Sequence, residues 1–128
     1  MEIEGQVEKA GMVVWDVQKR RILLIQNRWT GKWGFPKGHM ETFDVNHLET
    51  ATREVKEETG YLEMIHYVIT SGPLILNGHH YWTANLRTDE RPTLNREEHS
   101  GIGWYTPKEL RNLHLHSDVQ AWLVNKIN

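Results

Sequence analysis

The stretch HLETATREVKEET, residues 47–59, places the tightest constraint on how this chain can fold. Asn46 stands where a helix N-cap belongs, with Glu49 three residues on, and Gly60 stands where a helix stops. Leu48, Ala51 and Val55 recur at helical spacing and form one apolar face. That face must be buried against another element, and the flanking sequence offers strands. AGMVVW (10–15) and RILLIQN (21–27) are short β-rich runs separated by DVQKR, a hairpin or tight connection. RWTGKWGFPKGHMETFD, 28–44, is rich in Gly and aromatic residues and reads as a loop. After the helix, MIHYVIT (64–70) reads as a strand. LILNGHHYWTANL (74–86) gives two more around Asn77-Gly78, the strongest hairpin signal in the chain, and GIGWY (101–105) a last one. Thr106-Pro107-Lys108-Glu109 combines a capping box with an N1 proline. Ser117 or Asp118 is expected to cap a final helix carrying Val119, Trp122, Leu123 and Ile127. The pattern predicts an α/β (α+β) fold, a mixed sheet covered by helices.

With 128 residues the chain has room for one domain with a real core and too little for two, so residues 1–128 are expected to form a single domain. A 38% hydrophobic, 25% charged composition is that of a soluble globular protein. MEIEGQVEKAGMVVW lacks the basic start and long apolar core of a signal peptide, and no apolar run has membrane-spanning length. A cytoplasmic location without a membrane partner is the expectation. Without cysteine there is no thiolate or disulfide chemistry, and any metal must use oxygen or nitrogen ligands. A net charge of −2 argues against a broad nucleic-acid surface, duplex DNA included, and leaves room for a local basic mouth.

The helix carries an unfavourable feature. Glu54, Glu57 and Glu58 sit at i, i+3 and i+4, within one arc of roughly 100° beside Val55. Like charges so spaced cost a few tenths of a kcal/mol per pair. The stripe is either a solvated acidic face or a site for a hard divalent cation, which takes oxygen ligands and turns repulsion into attraction. Spacing alone allows both. Glu49 and Arg53 form a favourable i,i+4 pair.

The context separates the two readings. GHMETFDVNHLETATREVKEETGY, Gly38 to Tyr61, resembles the Nudix box, G-x5-E-x7-R-E-U-x-E-E-x-G-U with U a bulky apolar residue. The second half, from Arg53 to Tyr61, matches at every specified place when Tyr61 is taken as the last bulky residue. In the first half, Asp44 replaces the loop Glu, and the spacing from Gly38 to Arg53 is one residue longer than the pattern. The resemblance implies an α/β/α sandwich with a metal-binding loop-helix-loop at residues 38–61. It implies that Glu54, Glu57, Glu58 and the Gly38 carbonyl bind Mg²⁺ or Mn²⁺, that Arg53 orients the carboxylates, and that Asp44 supports the loop. It also implies hydrolysis of a nucleoside diphosphate linked to another group, by attack of water on phosphorus.

YWTANL and REEHSGIGWYTPKEL resemble the asymmetric dinucleoside tetraphosphate hydrolases of that family, which carry a comparable E-H-x4-W run. On this likeness Glu98 is a further ligand or the base, with Glu97 its substitute if the register slips. Lys37 and His39, next to the box, are candidate phosphate contacts, with Arg28 and Lys32 as looser ones. Tyr81 matches a strand position where that branch carries a ring near the adenine, although any ring here can equally be core. Trp15, Trp104 and Trp122 are assigned to the core, and Trp29 and Trp33 to the rim of the pocket. His79-His80 alternate faces on a strand, and His114 and His116 lack a third ligand at zinc spacing, so the histidines read as solvent-exposed. The expected activity is Mg²⁺-dependent cleavage of a nucleotide substrate, a dinucleoside polyphosphate such as diadenosine tetraphosphate. Alternatives are a triphosphorylated or capped RNA 5′ end, a nucleoside triphosphate, a diphosphoinositol phosphate, or a non-catalytic nucleotide-binding module.

Overall fold

The structure, a computed structural model, describes residues 8–127; residues 1–7 of the N-terminal stretch, Asn128 and the side chain of Ile127 lie outside it. The two β-rich runs form β1 (Lys9–Asp16) and β2 (Arg21–Asn27), antiparallel across a turn in which Arg20 adopts a positive φ of 53°. The segment read as a loop contains two short strands, β3 (Trp33–Gly34) and β4 (Lys37–His39). Its glycines and aromatics mask them from a pattern search, because neither strand is long enough to alternate.

These two strands fill a fork. Along one edge of β1 runs β6 (His79–Leu86), in parallel from Ala10–His80 to Trp15–Asn85. The other edge is shared, with β2 at the Trp15–Asp16 end and β4 at the Lys9–Gly11 end. β2 likewise pairs with β1 at Arg21–Ile22 and with β3 at Ile25–Gln26, while β7 (His99–Tyr105) covers its other edge. β1 and β2 therefore diverge, and residues 33–39 occupy the gap between them. β5 (Tyr67–Leu76) completes the seven-stranded mixed sheet.

β5 joins two runs read as separate strands and starts three residues later than expected, because Met64 sits at a positive φ of 71° in a turn. The Asn77-Gly78 hairpin forms as expected, both residues at positive φ (51° and 82°), the type I′ requirement. β7 begins two residues earlier than expected, at His99.

Alternation along β1 and β2 builds two cores. Ala10, Met12, Val14 and Leu23 face α1 (His47–Thr59) and meet its Ala51 and Val55 with Tyr61, Tyr67 and Ala84. Val13, Ile22 and Leu24 face the other way, onto Leu110 of α2 (Pro107–Leu110) and Val119, Trp122 and Leu123 of α3 (Ser117–Ile127). This is a sheet between helical layers, the α/β/α sandwich. Trp122 is buried, with Trp15 packed beside it, and Trp104 packs on the α1 side. Leu48 is only half-buried; Thr50, Glu58 and Thr59 take the buried places on α1 with Ala51 and Val55. No helix among the described residues is long and apolar enough to cross a membrane.

The caps follow the sequence at α1 and α2 and depart from it at α3. Asn46 Oδ1 accepts the Glu49 N–H at 2.9 Å, and Gly60, at φ 77°, donates its N–H to the Lys56 carbonyl. Thr106 and Glu109 form the reciprocal box. Neither Ser117 nor Asp118 caps α3. The N–H of Asp118 donates to Nδ1 of His116 at 3.1 Å, while the Asp118 carboxylate turns inward.

Replacing Asn46 with Ala should cost about 1 kcal/mol, and Asn46→Asp should be nearly neutral. Urea unfolding followed by far-ultraviolet circular dichroism reads both; an Ala variant as stable as the parent would show that the cap does not hold the start of α1.

Candidate active site

The fork opens into a cleft of about 790 Å³, within the usual range for small-molecule sites. β4, α1 and the segment before β7 bring Lys37, Gly38, His39, Arg53, Glu54, Glu57, Glu58 and Glu98 to its walls. Of the residues singled out as candidate ligands, acids or phosphate contacts, Arg28, Asp44 and Glu97 are not in its lining. Lys32 lines the cleft as well.

Arg53 holds the acidic wall together. Its Nε and one Nη bond the two Asp44 oxygens at 3.0 and 2.9 Å, and the same Nη reaches the His39 carbonyl at 2.9 Å. The other Nη bonds Glu54 at 3.0 Å and Glu57 at 3.1 Å. The expected Glu49 partner is not used, because the guanidinium turns toward the loop. Asp44, buried, also accepts from the Glu41 N–H and the Thr50 hydroxyl, both at 2.9 Å. The shorter acid thus still reaches the arginine of a longer loop.

The carboxylates differ in environment. Burial, then Glu57, holds the Glu54 carboxyl above its ordinary range. Glu58 is almost sealed; burial and then Glu54 push it well above that range, although Lys37 opposes the shift. Glu58 Oε2 accepts the Lys37 N–H at 3.2 Å, and Oε1 lies 3.8 Å from Nε2 of buried His99. Glu57 and Glu98 are exposed. Burial lowers the Lys37 ammonium, with Glu58 pulling the other way.

The donor set suits a hard cation. A Cβ placed on Gly38 would lie 2.2–2.4 Å from the Glu54 carboxyl atoms, so only glycine lets this backbone lie against that carboxylate. Crowded carboxylates that resist ionising are what a divalent cation relieves. Among the described residues no three His, Asp or Glu side chains are grouped so as to hold a metal ion by themselves. The wall is an open face, the kind that Mg²⁺ completes with water and phosphate.

Two expected contacts fall elsewhere. Tyr81 is fully buried; its strand directs it under α3, where its hydroxyl donates to Asp118, and no base can reach its ring. Arg28 is exposed on the turn after β2 and donates to the Arg96 carbonyl outside the cleft lining. Neither tryptophan forms the rim: Trp33 is half-buried, edge-on to Tyr105 with centroids 5.2 Å apart, and Trp29 is 72% exposed outside the lining. His79 bonds Asp118 at 2.7 Å and His80 stacks on His47, so the neighbouring pair diverges.

The cleft also holds Lys9 and Phe43, which the sequence reading passed over, and His99 and His116, which it left as solvent-exposed; His99 is buried and His116 half-buried, each packed by its tertiary neighbours. Phe43 is 65% exposed, with the Arg53 guanidinium 5.3 Å from its centroid. Polar residues at alternate positions from the turn into β6, Asn77-x-His79-x-Tyr81, were the available signal for the network around Asp118: all three meet its carboxylate.

A family model described as NUDIX domain matches residues 6–124. By sequence the chain is similar to protein 111R of Invertebrate iridescent virus 3, which is named as a hydrolase, at 32% identity over 90 residues. That match covers 66% of the chain and 50% of the relative, so the chain spans about half the length of this curated relative. By structure it is similar to the C. elegans Ap4A hydrolase in a binary complex, with a TM-score of 0.77, 22% identity and 95% of each chain covered. It is also similar to DR0079 of Deinococcus radiodurans, with a TM-score of 0.71, 15% identity, and 94% of this chain and 82% of that one covered.

The Asp44–Arg53 pair has a signature in acid. The Arg53 hydrogen bond holds the Asp44 carboxyl down to about 2 from an ordinary 3.8. A carboxyl lowered in the folded state stabilises it above the unfolded value and loses that contribution as pH falls through the folded one. Asp44→Asn should therefore lose roughly 2 kcal/mol at pH 7, with the gap to the parent closing between about pH 4 and 2. Urea midpoints across pH test this; a gap that does not change with pH would show that the charge contributes nothing.

Proposed function

The chain belongs to the NUDIX domain family, and on that premise we propose that it is a pyrophosphohydrolase cleaving a nucleoside diphosphate linked to another group. The observation that carries this reading is the convergence of Glu54, Glu57, Glu58 and Glu98 on one cleft with the Gly38 backbone and Lys37. A binding module has no need of an intact acidic wall kept in order by an arginine. The proposed substrate is a dinucleoside polyphosphate such as diadenosine tetraphosphate. The E-H-x4-W run from Glu98 to Trp104 and the structural likeness to an Ap4A hydrolase support that choice. The matched residues act as one catalytic unit.

Glu54, Glu57, Glu58 and the Gly38 carbonyl would hold Mg²⁺, with Mn²⁺ as a substitute, and Glu98 would complete the set. When bound, the cation supplies neutralisation of the phosphate charge and a lowered pKa for the attacking water. The remaining work falls to the side chains. Lys37 and Lys32 hold the phosphate chain from the cationic wall, and His39 donates to it from the rim. Arg53 keeps Glu54 and Glu57 in place and does not touch the substrate. A carboxylate that the cation leaves free, Glu98 or else Glu57, would accept the proton of the attacking water, a contribution of roughly 10²- to 10⁴-fold. Water attacks phosphorus, and the bridging oxygen leaves with the departing nucleotide.

The test is incubation of the chain with diadenosine tetraphosphate and Mg²⁺, with products separated by chromatography. ATP plus AMP is expected, and Glu57→Gln should reduce turnover by at least about 10²-fold without changing the circular dichroism spectrum. Near-normal turnover in that variant would refute the metal assignment. Cleavage of triphosphorylated or capped RNA but not of the dinucleotide would move the substrate to RNA 5′ ends.

Gly38→Ala tests the close approach separately. A methyl group within 2.4 Å of the Glu54 carboxylate must displace that side chain from its place against the backbone. Turnover should fall by more than about tenfold, with a higher Mg²⁺ requirement read from the metal titration. An unchanged titration would remove Gly38 from the site.

A further inference from the structure

His116 sits where the cleft, β3 and α3 meet. Its backbone is clamped to β3: its N–H donates to the Trp33 carbonyl at 2.8 Å, and the Trp33 N–H donates to the His114 carbonyl at 2.8 Å. Its carbonyl accepts the Gln120 N–H at 3.1 Å, which makes it the N-cap residue of α3. The ring completes the cap, Nδ1 accepting the Asp118 N–H at 3.1 Å. A nitrogen that accepts carries no proton, so the proton of the neutral ring lies on Nε2. No protein group among the described residues pairs with that Nε2, and it is not among the polar atoms sealed without a partner. His116 is part of the cleft wall.

We propose that His116 is a specificity-determining donor, its Nε2–H reading an uncharged acceptor on the nucleobase of the bound nucleotide. The proposal rests on the nucleotide reading of the cleft. Burial, then Lys37, holds the imidazole down to about 4, and Lys9 and His79 act in the same direction while Asp118 opposes them. The ring therefore stays a neutral donor through the physiological range. Lys37 Nζ and His116 lie on the same side of Gly34; a Cβ there would meet Nζ at 3.7 Å and the His116 Cβ and Cγ at 3.4 and 3.8 Å. Phosphates have these cations to bind. A fixed, neutral, directional donor beside them suits an uncharged ring nitrogen or carbonyl, the type of group that sets orientation in a pocket. Held by both β3 and α3, the donor loses little entropy when it engages.

Two substitutions separate the cap from the donor. In His116→Asn, Oδ1 can take the Nδ1 role, since Asn is a preferred N-cap, and nothing reaches the Nε2 position. In His116→Gln the amide reaches the Nε2 position, and the cap is lost. Calorimetric titration in Mg²⁺ compares ATP with inorganic tripolyphosphate, which has the charge and lacks the base. His116→Asn should weaken ATP binding about tenfold, leave tripolyphosphate unchanged and keep the urea midpoint. His116→Gln should bind ATP nearly as the parent does and unfold earlier. Equal weakening of both ligands would make His116 a phosphate contact, and no weakening of either would leave it a cap alone. Either result overturns the proposal, as would a parent that binds ATP no better than tripolyphosphate, or ¹⁵N spectra placing the proton on Nδ1. Turnover is a separate readout: ATP discrimination lost in His116→Asn without hydrolysis by the parent would support the donor and count against the hydrolase.

Discussion

One guanidinium organises the acidic wall of the cleft. Arg53 is bonded at once to Asp44, Glu54, Glu57 and the His39 carbonyl, and so ties the loop before α1 to the helix itself. Lys could not replace it, because only a planar fork of five donors serves two carboxylate oxygens on one side and two further acids on the other. Two constraints follow from that geometry. The loop must bring an acid within reach of the fork, which Asp44 does despite its shorter side chain and the extra residue. The strand before the loop must also pass close to Glu54, which only Gly38 permits.

The sheet gives the cation-rich side its place. Because β1 and β2 diverge, β3 and β4 enter the gap, and a short Gly-rich segment becomes part of the sheet while its Lys37 lines the cleft. Strands of two and three residues cannot hold themselves in place by pairing alone. The Met12 N–H on the Pro36 carbonyl at 3.0 Å and the Trp33 bonds to residues 114–116 supply the rest. Backbone anchored on two sides positions side chains more narrowly than a free loop would. The cleft is thus bounded by strand and helix where a sequence pattern shows only loop.

What could be read from sequence was what repeats or matches over many residues. The caps of α1, its buried Ala51 and Val55, the Asn77-Gly78 turn and the Thr106 capping box are local, and each is written within a few neighbouring residues. The carboxylates were legible for the same reason: one helix carries three of them at a fixed spacing. Tyr81 and Arg28 were misplaced because their positions depend on tertiary direction. A strand side chain points to one face or the other, and which face α3 covers is not written in β6. Asp118 was misread likewise. By local preference it is a capping residue, but three donors from a distant hairpin outweigh a single backbone N–H.

That exchange at Asp118 bears on the cleft. Burial raises the Asp118 carboxyl, but donors from His79, Tyr81 and Asn77 outweigh it and keep the group charged. Once the carboxylate is committed to the hairpin, the first turn of α3 needs another acceptor, and His116 supplies it from the cleft wall. A buried acid committed to its own donors thereby leaves Nδ1 of an imidazole on the cleft wall as the acceptor for the first turn of α3. The same logic runs through the acidic wall. Glu54, Glu57 and Glu58 break a local rule of helix design, and burial of Glu58 makes the breach worse. Local conflict of this kind is expected where function, not stability, sets the residue. Arg53 relieves part of it from the loop side. The repulsion that remains faces the open cleft, where a cation and a phosphate chain can bind.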